Sequence, residues 1–380
     1  MKFLIVAGDP SGSNHAARLM HELHVLSPVI RFYGIGGDDM ISSGLDARAH
    51  VRDVGVVGFW EVARRYPYFR ELLSSFADSL QTEKPDAFIA VDYPGFNMRL
   101  AAVAKKAGVP VLYYIAPQLW AWGKNRAKRL AGAADLLLTV FPFETDFFSK
   151  LGIPTTFVGH PLLDDDTLRD TYNSGWDKRL IALLPGSRTQ EVERNLPVLL
   201  AAARTFAEKH PSFTFAIPPT PVVPLNVYED ILSDYKPNGE LSIEFADDSR
   251  LLMQSARAGL IKTGTSTLEA ALCGLPFAMM YRASTFSYWY GKMVVQTPYL
   301  AMPNILAGRE IVAEFVQHDA TPTALAAELE RLVFNEAVRA AQREKFTEIR
   351  RQLGGGGATR RAAEVIVRHI TGAIPDAENA

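Results

Sequence analysis

Residues 180–197 read LIALLPGSRTQEVERNLP. A short apolar run, Leu180 to Leu184, stops at Pro185-Gly186-Ser187-Arg188, and a polar segment with helical promise follows. This is the pattern of a buried strand, a tight turn and a helix start. Gly186 lets backbone come close to a ligand, and Ser187 can cap the helix or donate a hydroxyl. The helix N-terminus favours an anion, and Arg188 adds a fixed positive fork. Together these parts suit a diphosphate, although an ordinary strand-to-helix turn with a solvated Arg is written the same way.

The same alternation of strand and helix runs through the chain, which predicts an α/β fold of doubly wound sheets. At 380 residues the chain is too long for one ordinary core, so two domains are expected. A net charge of −2 gives no global pointer to nucleic acid. The single cysteine, Cys273, excludes an internal disulfide and is compatible with a reducing compartment. The N-terminal MKFLIVAGDPSGS has too short an apolar core for a signal peptide, and no apolar run is long enough to span a bilayer.

In the first half, Lys2–Ala7 is a strand that ends at Gly8-Asp9-Pro10-Ser11-Gly12-Ser13, with helical spacing from Ala16 to Leu26. A glycine-bearing loop there is the usual ligand-facing turn of a doubly wound sheet. Ile30 to Ile35 is a second strand, and 54–59 is a strand or a loop. The segment 59–73 interleaves Phe59, Trp60, Tyr68, Phe69 and Leu72 with Arg64, Arg65 and Arg70. Such a surface suits a lipid headgroup layer, and a core helix interrupted at Pro67 fits as well. Asp86 to Val91 is a buried strand that delivers Asp92-Tyr93-Pro94-Gly95-Phe96-Asn97 at its carboxyl end. There Asp92 is either a general base for a sugar hydroxyl or a helix cap. After a strand at 109–115, Gln118, Trp120 and Trp122 offer a sugar-stacking or acyl-packing wall beside Lys124, Arg126, Lys128 and Arg129. Strands at 135–140 and 154–158 follow. His160, alone before a proline, reads as structural more readily than as catalytic. Residues 164–178 read as the interdomain linker.

The second half places strands at 180–184, 213–217, 243–245, 259–262 and 277–281, with helix from Pro197 to Lys209. Gly264-Thr265-Ser266 is a small-residue turn. Ser266 with Glu269 fits a capping box, while Glu269 can instead accept hydrogen bonds from ribose hydroxyls. Asn304, in a polar turn, is placed like a ligand contact. Amphipathic helices close the chain. No metal-ligand cluster is found.

Taken together, AVDYPGFN (90–97), APQLWAW (116–122), FPFE (141–144), VGHPLLD (158–164), LLPGSRTQEV (183–192), GTSTLEAALCGLP (264–276) and MPNILAGRE (302–310) resemble the lipid-A-disaccharide synthase family over residues 3 to 370. The resemblance implies a GT-B fold, two Rossmann-like doubly wound domains facing a cleft. Residues 1–165 would form the acceptor- and membrane-facing domain and 166–340 the UDP-sugar domain. Helices in 341–380 would cross back to the first domain or swap into a partner subunit, giving a homodimer.

The implied activity is an inverting hexosyl transfer without a metal or other cofactor. It joins UDP-2,3-diacylglucosamine to 2,3-diacylglucosamine 1-phosphate, giving a β-1,6 disaccharide and UDP. It is expected in the cytoplasm, peripheral on the anionic inner face of the bacterial inner membrane.

Carried over by position, Asp92 would accept the proton of the attacking hydroxyl and Arg188 would steady the leaving diphosphate. Gly186, Ser187, Gly264, Thr265, Ser266, Glu269 and Asn304 would hold the donor. Asp9, Ser11, Gly12, Asn97, Gln118 and Trp120 would line the acceptor side, with membrane contact from Phe59, Trp60, Arg64, Arg65, Tyr68, Phe69 and Leu72. The chain departs from the family on the acceptor side: GEASGD is here GDPSGS, and the second acid of DxPDFN is Gly95. A UDP-N-acetylglucosamine 2-epimerase on the same fold, a relative with another lipid acceptor, and a non-catalytic lipid or nucleotide binder are the alternatives.

Overall fold

Phe3 to Ala7 of β1 (Lys2–Ala7) have no exposed surface. A strand covered on both faces belongs at the centre of a parallel sheet. In this computed structural model, which describes residues 1–55, 64–168, 177–235, 241–295 and 297–372, β1 is the third strand of seven. The order is β3 (Leu45–His50), β2 (Arg31–Gly36), β1, β4 (Ala87–Val91), β5 (Val111–Tyr114), β6 (Leu136–Thr139), β7 (Thr155–Phe157). All pairs are parallel. The chain turns back beside its own first strand, so β1 and β4 flank the point where strand order reverses, with Ala7 opposite Val91.

The chain divides into two compact units, Met1–Asp165 with Leu353–Ala380, and Asp166–Gln352. In the first, the helix Pro10–Leu26 and the helix Ala358–Thr371 cover one face of the sheet, sharing a core with Phe3, Ile5, Ile89 and Leu112. The helices Tyr66–Glu83 and Pro94–Lys106 cover the other through Phe76, Leu80, Phe96 and Leu100. The expected third segment, 341–380, therefore divides at Leu353: the helix Glu336–Gln352 stays with the second unit. Left-handed glycines, Gly354, Gly355 and Gly357, turn the chain between the two helices. The buried face of the last helix, Ala362, Ala363 and Ile366, is covered within the chain.

The second unit holds a six-stranded sheet in the order β10 (Ile243–Phe245), β9 (Thr214–Ile217), β8 (Asp177–Leu184), β11 (Ala256–Lys262), β12 (Phe277–Tyr281), β13 (Glu314–Val316). Here β8 and β11 flank the reversal, with Leu184 opposite Ile261. The helix Thr189–Ala207 runs straight through Pro197, where the sequence suggested a start. Its buried stripe, Val192, Leu196, Leu199, Leu200, Ala203 and Phe206, offsets the hydrogen bond that a mid-helix proline removes. Edge strands β3 and β13 are absent from the sequence reading. Val54 ends a short helix, Val51–Val54, and residues 56–63 lie outside the described residues. Among the described residues no helix is long and apolar enough to cross a membrane.

Candidate functional site

Several of the residues singled out from the sequence follow the two strands that flank the reversal of strand order: Asp9 and Asp92 after β1 and β4, Gly186 to Arg188 and Gly264 to Ser266 after β8 and β11. Ligands of doubly wound sheets bind at that place.

In the first unit, Asp9 follows β1 and caps the next helix, its Oδ1 accepting from the Gly12 N–H at 2.6 Å. Asp92 follows β4. Asp92 and Tyr93 both adopt left-handed backbone, with φ of 42° and 49°. The strained turn is held from several sides. Asp92 O accepts from Tyr113 Oη at 2.6 Å and from Asn97 Nδ2 at 2.9 Å. Tyr93 Oη donates to Val54 O at 2.7 Å. Gly8 is required beneath it, because a Cβ there would lie 2.1 Å from the Tyr93 ring. Burial, and then the Asp9 carboxylate, push the Asp92 carboxyl up to about 6, against a lowering hydrogen bond from the Tyr93 backbone. A carboxylate so tuned is ionised at neutral pH yet basic enough to share a proton.

Asn97 is fully buried, and its Nδ2 donates to the carbonyls of Val6, Val91 and Asp92. It ties the tips of β1 and β4 together. Trp120 is also buried, at 9% exposure, with its ring edge-on to Phe143 at 4.8 Å. Its Nε1 donates to Glu144 Oε1 at 2.9 Å, so it is a packed ring and not an open stacking wall. The side chain of Trp122 lies outside the described residues. Burial pushes the fully enclosed Glu144 up to about 7, although Trp120 Nε1 and the N–H groups of Phe141 and Val140 hydrogen-bond its carboxylate. Ser11 and Gln118 are exposed, and Gly12 is buried against Asp9. Burial drives His160 down to about 3, and its Nδ1 accepts from the Leu162 N–H. It is a neutral structural cap. The acid that the family carries at the end of its first loop is here Ser13, whose Oγ accepts from the Gly37 N–H at 2.9 Å.

Of the aromatic and basic stretch, Arg64, Arg65 and Tyr68 are exposed. Phe69 and Leu72 pack partly buried onto the first unit's core, which the lipid-facing reading did not foresee. Phe59 and Trp60 lie outside the described residues.

In the second unit, the turn after β8 carries Gly186 with φ of 125°, Ser187 and Arg188. Arg188 is 61% exposed and stands at the N-cap of the helix Thr189–Ala207 without a side-chain cap. Asn195 fixes the turn from within that helix, donating to Pro185 O at 3.0 Å. Glu191 closes over the turn. Its Oε2 accepts from the Ser187 N–H at 3.0 Å, and its Oε1 accepts from Arg188 Nη1 at 3.3 Å and Lys262 Nζ at 2.9 Å. A Cβ on Gly186 would lie 2.5 Å from Glu191 Oε2, so the room that this glycine makes is taken by Glu191.

The adjacent β11 ends at Lys262, and Thr263 and Gly264 follow, the latter at φ of 140°. Gly264, not Ser266, is the N-cap of the helix Thr265–Leu272, and no side chain caps it. The capping box is therefore absent. Gly264 and Thr265 are exposed, Ser266 is half-buried, and Glu269 Oε1 accepts instead from Arg250 Nη2 at 3.2 Å.

Asn304 corrects the sequence reading most sharply. It is fully buried. Its Nδ2 donates to Val312 O and Glu314 Oε1, and its Oδ1 accepts from the Ile311 and Val312 N–H groups. An amide has four such places and all are filled. It folds the loop rather than touching a ligand. Lys262 and Arg250 were not singled out, and Glu144 and Glu191 entered only as members of the motifs FPFE and LLPGSRTQEV. Among the described residues no group of three or more His, Cys, Asp or Glu side chains could hold a metal ion.

A family model described as Lipid-A-disaccharide synthetase matches residues 3–369. The chain is 38% identical over 373 residues to the Lipid-A-disaccharide synthase of Anaeromyxobacter dehalogenans, covering 96% of this chain and 97% of that one. It is 35% identical over 377 residues to the protein of the same name from Trichlorobacter lovleyi, covering 97% of each. Among solved structures it is similar to UDP-GlcNAc 2-epimerase from Neisseria meningitidis bound to UDP-GlcNAc. The TM-score is 0.65 at 14% identity, over 97% of this chain and 100% of that one. MurG of Acinetobacter baumannii gives 0.64 at 15%, over 97% and 99%. The fold is the one shared by GT-B glycosyltransferases and these epimerases.

Proposed function

The chain belongs to the lipid-A-disaccharide synthetase family, and from that premise we propose that it joins UDP-2,3-diacylglucosamine to 2,3-diacylglucosamine 1-phosphate. The products are a β-1,6 disaccharide 1-phosphate and UDP. The acceptor 6-hydroxyl attacks the anomeric carbon from the side opposite the nucleotide, which inverts that centre.

In this reading Asp92 takes the hydroxyl proton. Its carboxyl, lifted to about 6, suits a base that works at neutral pH. Arg188 steadies the negative charge that grows on the diphosphate as the glycosidic bond breaks, where a preorganised cation is worth most. Gly186 and Ser187 carry the same turn, and Gly264, Thr265 and Ser266 offer uncapped backbone N–H groups to the donor. Glu269 accepts from ribose hydroxyls. Asp9, Ser11, Gly12 and Gln118 flank the acceptor. Arg64, Arg65 and Tyr68, with Phe59 and Trp60, rest on an anionic membrane surface, and the protein works as a peripheral enzyme on the cytoplasmic side.

The observation that carries the reading is that three of the family's motifs, AVDYPGFN, LLPGSRTQEV and GTSTLEAALCGLP, stand at strand ends beside a reversal of strand order, with Asp92, Arg188 and Gly264 in the turns that follow. The test is incubation with both lipid substrates, followed by mass spectrometry. Disaccharide and UDP are expected, in a ratio of one to one and only when both substrates are present. Conversion of a UDP-sugar to its epimer without the lipid acceptor would move the assignment to the epimerase class.

A further inference from the structure

Lys262 ends β11 and Gly186-Ser187-Arg188 follows the neighbouring β8, so the strand pairing itself brings this lysine to the turn. Its side chain is only 17% exposed, and its Nζ lies 2.9 Å from Glu191 Oε1. It also sits 3.9 Å from where a Cβ on Gly264 would stand, between the two glycine turns of the second unit. Glu191, 18% exposed, also accepts from two donors of the first turn, the Ser187 N–H and Nη1 of Arg188. The turn thus binds an anion already, and the anion is its own side chain. A diphosphate that uses the same N–H and the same cations has to displace it.

We propose that Lys262 is a further donor-binding residue that contacts the diphosphate beside Arg188, and that Glu191 is its internal counter-anion, exchanged for the diphosphate when the donor binds. The proposal rests on the donor reading given above. Two features make the exchange workable. Glu191 reaches the turn from the first turn of its own helix, so rotation of one side chain withdraws it. Burial raises its carboxyl, but the hydrogen bonds and charges of Lys262, the Ser187 N–H and Arg188 outweigh that and hold it below the usual carboxylate range. It therefore remains an anion at neutral pH. Self-occupancy lowers apparent affinity by the fraction of molecules in which the turn is open. It also keeps two cations and an N–H group satisfied between turnovers.

The test is calorimetric titration of the full chain with UDP and, in parallel, with uridine. Glu191→Gln keeps the shape and removes the charge. It is expected to lower the UDP Kd about tenfold, which corresponds to a turn open in about one molecule in ten. Uridine binding should not change. In the Glu191→Gln background, Lys262→Gln is expected to raise the UDP Kd about tenfold, again with uridine unmoved. Glu191→Ala carries the same expectation as Glu191→Gln and serves if the glutamine variant does not fold. Failure of both variants to fold would assign Glu191 to the architecture of the turn and overturn the proposal. UDP binding that is no tighter in a folded Glu191 variant overturns the counter-anion role. Lys262→Gln without effect overturns the role of the lysine. Wild-type protein that binds no UDP overturns the donor reading itself, a result distinct from these.

Discussion

Asp9 and Asp92 stand just beyond the carboxyl ends of neighbouring parallel strands, and the charge of the first raises the carboxyl of the second. If Asp92 is the base, it must be ionised to act, so activity should fall as pH drops through about 6. Asp9→Asn keeps an oxygen for the Gly12 N–H and deletes the charge. The Asp92 carboxyl then falls toward its ordinary value, and the acid limb of kcat/KM should move to lower pH. That limb reports groups of the free enzyme, so a pH series on the two proteins is sufficient. A limb that stays in place would separate Asp9 from the tuning of the base.

Asp92→Asn is expected to separate chemistry from donor binding. Asparagine tolerates left-handed backbone, so the turn at φ of 42° should survive the change. Loss of a general base costs about 10²- to 10⁴-fold in kcat. UDP affinity should stay within about twofold, because the donor residues belong to the other unit. Arg188→Ala should weaken UDP binding and lower kcat by about 10²- to 10³-fold, as loss of a charge-stabilising donor does. Full turnover by Asp92→Asn would remove Asp92 from the proton transfer.

The strand ends that matter most were the most legible in the sequence. β1, β4, β8 and β11 are central, and each holds a buried apolar run, Phe3 to Ala7, Ala87 to Val91, Ile181 to Leu184 and Ala258 to Ile261, that halts shortly before a glycine- or aspartate-bearing turn. β3 and β13 sit at sheet edges. Leu45–His50 has a single buried residue and Glu314–Val316 has none, so no periodicity betrays them. Asn304 misled for a related reason. A polar residue in a turn looks the same whether its hydrogen bonds go to a ligand or to its own loop. The Glu269 capping box failed because the helix begins at Gly264, and Arg250, nineteen residues away in sequence, claims the carboxylate. Lys262 went unnoticed because its neighbour across the sheet is set by strand order, which a local pattern does not contain.

Asn304→Ala tests the structural role assigned to that residue. The substitution leaves the Ile311 and Val312 N–H groups and the Glu314 carboxylate without a partner that they have now. Orphaned buried donors cost about 1–3 kcal/mol each, so a loss on the order of 3 kcal/mol is expected. Chemical denaturation followed by tryptophan fluorescence should show an earlier transition. A variant with unaltered stability and weakened UDP binding would return Asn304 to the donor site.

Asp164 predicts how the end of the chain is held. Its Oδ1 accepts from the Ala358 N–H at 2.7 Å and its Oδ2 from the Thr359 N–H at 2.8 Å, with the Thr359 hydroxyl as a further donor. The residue closes the VGHPLLD motif, yet its work is to cap a helix nearly two hundred residues later in the sequence. Asp164→Ala should cost about 1–2 kcal/mol, the usual worth of a helix cap. Because that cost falls on one docked helix, it should appear locally. Hydrogen exchange should accelerate across 358–371, and proteolysis should increase within the glycine run 354–357. Asp164→Asn retains an acceptor for one N–H group and should give an intermediate effect. Exchange that quickens equally throughout the first unit would mean that the helix and the sheet unfold together, and that the cap stabilises the whole unit rather than the docking of its last element.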